Sequence, residues 1–176
     1  MVATLAGVAP RHPQTAYGGT QKSLQQKWAF VQCVTPDIGM AFQVVEYAMR
    51  DIFLPALFQG ATAQIPGRAI TGLSVRQAEI ALPDPAQTAG ENWTASCTIT
   101  GHLAAALCGT ADFRSGNHAL LTRKVRTDIR QRHAEEAETA LEEAWAAASK
   151  PDARQLGWIQ RTGAWLSVLP STVNGT

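Results

Sequence analysis

The chain has 176 residues, a formal net charge of +1 and a pI near 7.8. Fifteen basic residues face fourteen acidic ones, which excludes a histone-like polycation and an acidic disordered tail. Hydrophobic residues make up 45% of the chain, enough to bury a core of its own. No apolar run approaches the roughly 18 to 20 residues of a membrane span, so no membrane partner is expected.

The two ends of the chain differ in composition from its middle. Pro10, Pro13, Gly18 and Gly19 interrupt regular structure near the N-terminus, and residues 1–20 are predicted to be a flexible N-terminal tail. Residues 21–169 are predicted to form a single helical domain. Residues 170–176 follow a strongly apolar stretch and are interpreted as a truncated C-terminal end.

The compartment is inferred from the N-terminus and the cysteines. The apolar stretch before Pro10 is short and no Lys or Arg precedes it, which argues against a secretory signal. The three cysteines are odd in number and widely spaced, so they do not form a disulfide framework. We therefore expect an intracellular protein of the cytoplasm or the nucleus.

Hydrophobic periodicity predicts an all-α fold, an irregular bundle of about five helices. The connector at residues 60–82 is rich in Gly and Pro, and Leu73–Leu82 could pair within it as a short strand. The predicted helices are Gln21–Val34, Pro36–Phe53, Pro85–Gly109, Asn117–Ser149 and a fifth that ends near Leu166.

Helix signals in the sequence support the second and third of these elements. Thr35 is expected to cap the second helix, and Pro55 is expected to kink or end it. Asp84 is expected to cap the third helix, with Gly109 at its end and a break possible near Gly90. The second helix is predicted to bury Met40, Val44, Tyr47, Ala48 and Ile52.

The fourth predicted helix has an apolar stripe and a divided charge. Its stripe consists of Leu121, Val125, Ile129, His133, Ala137, Leu141, Trp145 and Ala148, which recur every three or four residues. Six basic residues and one acid lie between Arg114 and Arg132, and five acids with no base follow between Ala134 and Ser149. A solvated face with local ion pairs such as Asp128 with Arg132 is one interpretation. Contact of the basic half with a nucleic-acid backbone is the other.

The sequence offers no constellation of catalytic residues. Motifs for an activated serine or a phosphate cradle are missing, and no two Asp residues are adjacent. Cys97, His102, Cys108 and His118 do not share one helical face, so no metal site is predicted. The five tryptophans could stack on bases, although core positions are the commoner use of Trp at helical spacing.

Several blocks, taken in order, resemble a known family. They are Gln25–Gln32, Phe53–Leu57, Leu73–Pro85, Thr88–Ala89, Asn92–Trp93, Ala95–Ser96, Thr100–Leu103, Phe113, His118, Gly163–Leu166 and Pro170–Gly175. Over roughly residues 17–176 the chain is similar to the region downstream of the polymerase palm in reverse transcriptases of non-LTR-like retroelements. The family favours Pro where Ser74 stands, and Gly-Gly where Ala78 and Glu79 stand, so its tight turn is not expected here.

The resemblance implies a helical thumb-and-connection segment that holds template and primer beside a palm located elsewhere. The family's Tyr-x-Asp-Asp motif matches nothing in this chain, so no catalytic residue is assigned, and a divalent metal is implied only for the missing palm. No cofactor is assigned to this chain. The expected partner is the RNA or DNA template-primer, and the oligomeric state is left open. The residues expected to contact nucleic acid are Arg76, Arg123, Lys124, Arg126 and Arg130.

The leading hypothesis is therefore a non-catalytic fragment of a retrotransposon reverse transcriptase, an RNA-directed DNA polymerase. The alternative is a stand-alone helical protein-interaction module with no nucleic-acid role, which the near-neutral charge and the apolar stripes favour. A third interpretation is an unselected reading frame that folds poorly. An independent enzyme has the least support, because no acid–base or nucleophile pair is present.

Overall fold

A computed structural model describes residues 1–58, 81–147 and 150, and throughout this part of the chain the fold is all-α, without a strand. Two π-helical turns, Thr20–Leu24 and Met49–Phe53, join consecutive α-helices, so the described residues form five continuous helical stretches. The helices are α1 (Val2–Val8), α2 (Pro13–Gly19), α3 (Gln25–Val34), α4 (Gly39–Ala48), α5 (Leu54–Leu57), α6 (Pro85–Leu107) and α7 (Ser115–Ala147).

Some sequence predictions fall outside the described residues. These are Arg76 and most of the predicted strand in the connector, the helix predicted to end near Leu166, and the C-terminal end at residues 170–176. Among the described residues, no helix is both long enough and apolar enough to cross a membrane.

The prediction of a flexible tail at residues 1–20 is wrong, because these residues form α1 and α2. Pro13 lies in the first turn of α2, where its missing N–H costs nothing since that N–H has no partner within the helix. Gly18 and Gly19 both lie within α2 and do not end it. Pro13 and these two glycines are therefore part of a helix here instead of interrupting regular structure.

The main core lies between this N-terminal pair and the end of the α4–α5 stretch. Phe53 and Leu57 are completely buried, and Trp28 packs against the same cluster. Burial raises the pKa of the Tyr17 phenol, also in this core. The buried members of the cluster are Ala6, Ala9, Ala16, Tyr17, Met49, Phe53, Leu54, Leu57, Phe58 and Leu82.

The buried face of α4 differs from the predicted one. Met40, Val44 and Tyr47 are exposed by 81%, 71% and 52%, and the core side is formed by other residues of the same stretch. Ile52 is also exposed, and Ala48 is half-buried. The residues buried instead are Phe42, Glu46, Met49 and Phe53. The stretch is apolar on two sides, so periodicity alone does not identify the face that packs.

The start and end of the α4–α5 stretch also differ from the prediction. Thr35 does not cap the helix: α4 begins only at Gly39, and Asp37 between them has a φ of 52°. Asp is one of the few residues that adopt this left-handed conformation readily. Pro55 does not end the helical stretch, which passes through a π-helical turn and continues to Leu57. Pro55 lies in the first turn of α5, and an inserted π turn is a common way to bend a helix.

Helix α6 begins as the sequence predicts. The Asp84 carboxylate accepts hydrogen bonds from the backbone N–H groups of Ala86 (2.7 Å) and Gln87 (3.3 Å), and Pro85 opens the helix. The helix runs without a break through Gly90 to Leu107. Gly109 follows with a φ of 72°, the left-handed conformation that commonly ends helices.

Asp84→Ala is expected to lower the free energy of unfolding by about 1 kcal/mol, because it leaves two N–H groups of the first turn without their acceptor. Urea denaturation of the variant and the parent measures this difference. Asp128→Ala, at an exposed position of α7, is the control and should change stability by less than about 0.5 kcal/mol. Equal losses in the two variants would contradict the capping role.

Helix α7 confirms the predicted long helix, with bounds of Ser115–Ala147. At 1.5 Å per residue its 33 residues span about 50 Å. Leu121, Val125 and Ile129 of the predicted stripe are half-buried, and Ala137 is buried. His133 and Trp145 of the same stripe are exposed, so the packed face covers only part of the helix length.

Candidate nucleic-acid interface on helix α7

The structure places four of the five predicted contact residues on the surface of α7. Arg123, Lys124, Arg126 and Arg130 are all exposed. The fifth, Arg76, lies outside the described residues. The four described side chains are therefore available to a partner in solution.

Three of these residues share one face of the helix. At 100° per residue, Arg123, Arg126 and Arg130 fall within an arc of roughly 60°. This arc lies roughly 130° around the helix from the half-buried side chains of Leu121, Val125 and Ile129. Lys124 lies about 100° from Arg123, at the edge of the exposed surface. We call Arg123, Arg126 and Arg130 the arginine face.

The residues of the arginine face enter no ion pair with any other described residue. Arg50 provides the contrast, because it donates to the Asp51 carboxylate at 2.7 Å. The hydrogen bond from Arg50 holds the pKa of Asp51 below its ordinary value. Arg50 thus already has a carboxylate partner, whereas none of the carboxylates in the described ranges pairs with the guanidinium groups of the arginine face.

Arg132 has a different role from the one suggested by the sequence. The expected Asp128–Arg132 pair within the helix does not form; instead Arg132 Nη2 lies 3.0 Å from Glu91 Oε1 of α6. The second carboxylate oxygen of Glu91 lies 2.6 Å from His133 Nε2. The Glu91 carboxylate of α6, which is largely shielded from solvent, therefore contacts two consecutive residues of α7.

A second polar contact joins the same two helices near their connecting turn. His118 Nδ1 lies 2.9 Å from His102 Nε2, and Phe113 stacks on the His102 ring with centroids 6.2 Å apart. Together with the Glu91 contact, this fixes the rotation of α7 against α6 at two points about 15 residues apart along α7. With α7 in this rotation, the residues of the arginine face are exposed to solvent.

Sequence reasoning did not predict the two histidines as neighbours. On a single helix His102 lies apart from Cys97 and Cys108, and the geometry of one helix does not place His118. The available signal was the turn: His102 lies five residues before the end of α6 and His118 three after the start of α7, so an antiparallel pair brings them together. Cys97 and Cys108 are exposed, free thiols. Within the described ranges, no group of three or more His, Cys, Asp or Glu side chains is placed to hold a metal ion.

The tryptophans give limited support to base stacking. Trp28 packs against the core, and Trp93 is half-buried on α6. Trp145 is 39% exposed near the end of α7, two residues after the last of the acidic residues that start at Glu135. The other two tryptophans lie outside the described residues. Stacking is therefore not part of the interface defined by the arginine face.

Comparisons of the chain with protein-family models, with curated proteins and with solved structures find no match.

Proposed function

We propose that this chain contacts the sugar–phosphate backbone of RNA or DNA through the arginine face, with Lys124 at its edge. The observation that carries the proposal is the placement of three exposed arginines, free of ion pairs with described residues, on one side of a helix whose rotation is fixed. Arg76 is included as a further contact residue on the basis of the sequence alone. The chain itself performs no catalytic step in this proposal.

The spacing of the arginine face suits a charged polymer better than a small anion. Arg123 and Arg130 are seven residues apart, which corresponds to about 10 Å along the helix. Guanidinium groups spread over this distance reach successive phosphates of a strand and release the counterions condensed on them. Contacts of this kind position a nucleic acid without reading its sequence.

The resemblance to the thumb-side region of retroelement reverse transcriptases supplies the wider context of the proposal. In that context the chain is a non-catalytic segment of an RNA-directed DNA polymerase that helps to hold template and primer, and the divalent metal belongs to a palm outside it. The helical fold and the position of the arginine face are compatible with such a role. An RNA–DNA hybrid is accordingly the first ligand to test.

Replacing the three residues of the arginine face by Glu should weaken binding to an RNA–DNA hybrid by at least about tenfold at low salt. The expectation follows from the loss of three phosphate contacts and the addition of like charge. Fluorescence anisotropy with a labelled hybrid measures the affinity, and circular dichroism checks that the variant is folded.

The matched control reverses Arg11, Lys22 and Lys27, which are also exposed and change the net charge by the same amount. This control should keep most of the affinity, because none of its residues lies on α7. Unchanged binding in the arginine-face variant would contradict the assignment to α7. An equal loss in the control would contradict it as well, since it would show that only the total charge matters.

A second candidate function, a helical protein-interaction module, is favoured by the exposed apolar side of α4. Met40, Val44 and Tyr47 recur at spacings of four and three residues, so they fall on one side of the helix, and each is more than half exposed. Exposed apolar stripes of this kind are used to pack against another helix. Dimer formation in light scattering, together with no affinity for RNA or DNA, would favour this function over the first.

A further inference from the structure

The contact between His102 and His118 brings two metal-ligating atoms together from different helices. His102 Nε2 and His118 Nδ1 are 2.9 Å apart, with ring centroids separated by 4.9 Å and ring planes inclined at 54°. Both side chains are half-buried. Phe113 packs against both rings, at centroid distances of 6.2 and 5.9 Å.

A hydrogen bond between two neutral imidazoles uses one ring nitrogen as donor and the other as acceptor. A metal ion can take the place of the shared proton once both nitrogens present lone pairs, which requires only that the donor ring move its proton to its other nitrogen. No net proton is lost from the neutral pair. Two nitrogens bound tetrahedrally at 2.0–2.1 Å from Zn²⁺ are about 3.3 Å apart, so the rings need to separate by about 0.4 Å and to turn until both lone pairs point at an ion that lies off the line between them.

We propose that His102 and His118 form a two-histidine site for a divalent transition metal, with Zn²⁺ as its representative. Imidazole nitrogen favours Zn²⁺, Cu²⁺ and Ni²⁺ over Mg²⁺ and Ca²⁺, which prefer oxygen ligands. Water or a small anion completes the coordination. The bound ion links α6 and α7 beside their connecting turn.

A neighbouring hydroxyl fits this arrangement. Thr122 lies one turn after His118 on the same side of α7, and its buried Oγ1 has no hydrogen-bond partner among the described residues. A buried hydroxyl without a partner is costly, and a water on the metal is a partner of suitable chemistry. At 100° per residue His118 lies roughly 80° around the helix from Arg126 and farther from Arg123 and Arg130, so it shares no residue or face with the proposed contact with nucleic acid.

The site is tested by isothermal titration of the full-length chain with ZnCl₂. Exposed thiols would bind zinc themselves, so the titration uses a Cys97→Ser/Cys108→Ser background. We expect one ion per chain. Either His102→Ala or His118→Ala should reduce its affinity by more than the roughly 10- to 100-fold that loss of a supporting residue costs at metal sites. His12→Ala is the control, because His12 is exposed and lies outside α6 and α7, and it should leave zinc binding unchanged. MgCl₂ should give no binding heat.

A second measurement uses chains without histidine substitutions, in case a variant fails to fold. In the imidazole ¹⁵N spectrum, zinc should shift the resonances of two of the four histidines, and those of His12 and His133 should stay in place. Zinc should also raise the thermal midpoint, because it binds the folded chain. The proposal is overturned if zinc gives no binding heat, if its affinity is the same in both histidine variants, or if the shifted resonances belong to His12 or His133.

Discussion

Phe53→Ala is expected to lower the free energy of unfolding by about 3–5 kcal/mol, the usual cost of truncating a fully buried Phe. Phe53 is 0% exposed and belongs to the cluster that joins the two N-terminal helices to the α4–α5 stretch. The substitution removes the ring from the centre of that cluster and leaves a cavity that the surrounding helices can fill only in part. Urea denaturation followed by circular dichroism measures the loss.

Phe30→Ala is the matched control, since it removes the same side chain from a position on α3 that is 67% exposed. It should change the stability by less than about 0.5 kcal/mol. A small effect at Phe53, or equal effects at the two positions, would show that the N-terminal helices do not pack against this residue. The comparison therefore also tests whether the helices of residues 1–20 pack into the core.

Gln32→Ala should be the next most destabilising change, at about 2–3 kcal/mol, because it breaks a buried polar network between α3 and α6. Gln32 is 2% exposed; its Nε2 donates to the backbone oxygen of Pro85 at 2.6 Å, and its Oε1 accepts from Asn92 Nδ2 at 2.7 Å. The substitution leaves both partners with unsatisfied hydrogen-bonding groups in a partly buried interface. Thermal and urea denaturation measure the effect.

Gln26→Ala, at an exposed position of the same helix, is the control and should be nearly neutral. A double-mutant cycle with Asn92→Ala isolates the Gln32–Asn92 hydrogen bond, and a coupling energy of about 0.5–3 kcal/mol is expected for residues in one network. A coupling near zero would mean that the two amides act independently, contrary to the network.

The features of the fold that the sequence predicted correctly are local ones. The start of α6 depends on Asp84 and Pro85, which act within one turn of the chain, and the length of α7 depends on a sustained periodicity without Pro. These signals require no knowledge of the neighbouring helices. The exposure of Arg123, Arg126 and Arg130 was also predictable, because Arg is rarely buried without a partner.

The features that were missed depend on packing between helices distant in sequence. Residues 1–20 form short helices that are stable only against Phe53 and its neighbours. Their proline and glycine content alone therefore does not predict that they are helical. The apolar residues of α4 occur on two sides, and only the position of α1 and α6 decides that Phe42 is buried and Met40 exposed. Arg132 likewise pairs with Glu91 because the hairpin of α6 and α7 places them together.

The central claim is that α7 binds a nucleic-acid backbone through the arginine face, and the salt dependence of binding tests it most directly. The affinity for an RNA–DNA hybrid should be measured by anisotropy from low to moderate salt, for the parent chain and for the variant with all three arginines changed to Glu. Each phosphate contact contributes about 0.7–0.9 to the magnitude of the slope of log affinity against log salt. The slope measured for the variant should therefore be smaller in magnitude by about 2 to 3 than that of the parent. Parallel slopes for parent and variant, or binding of the parent that does not change with salt, would contradict the account.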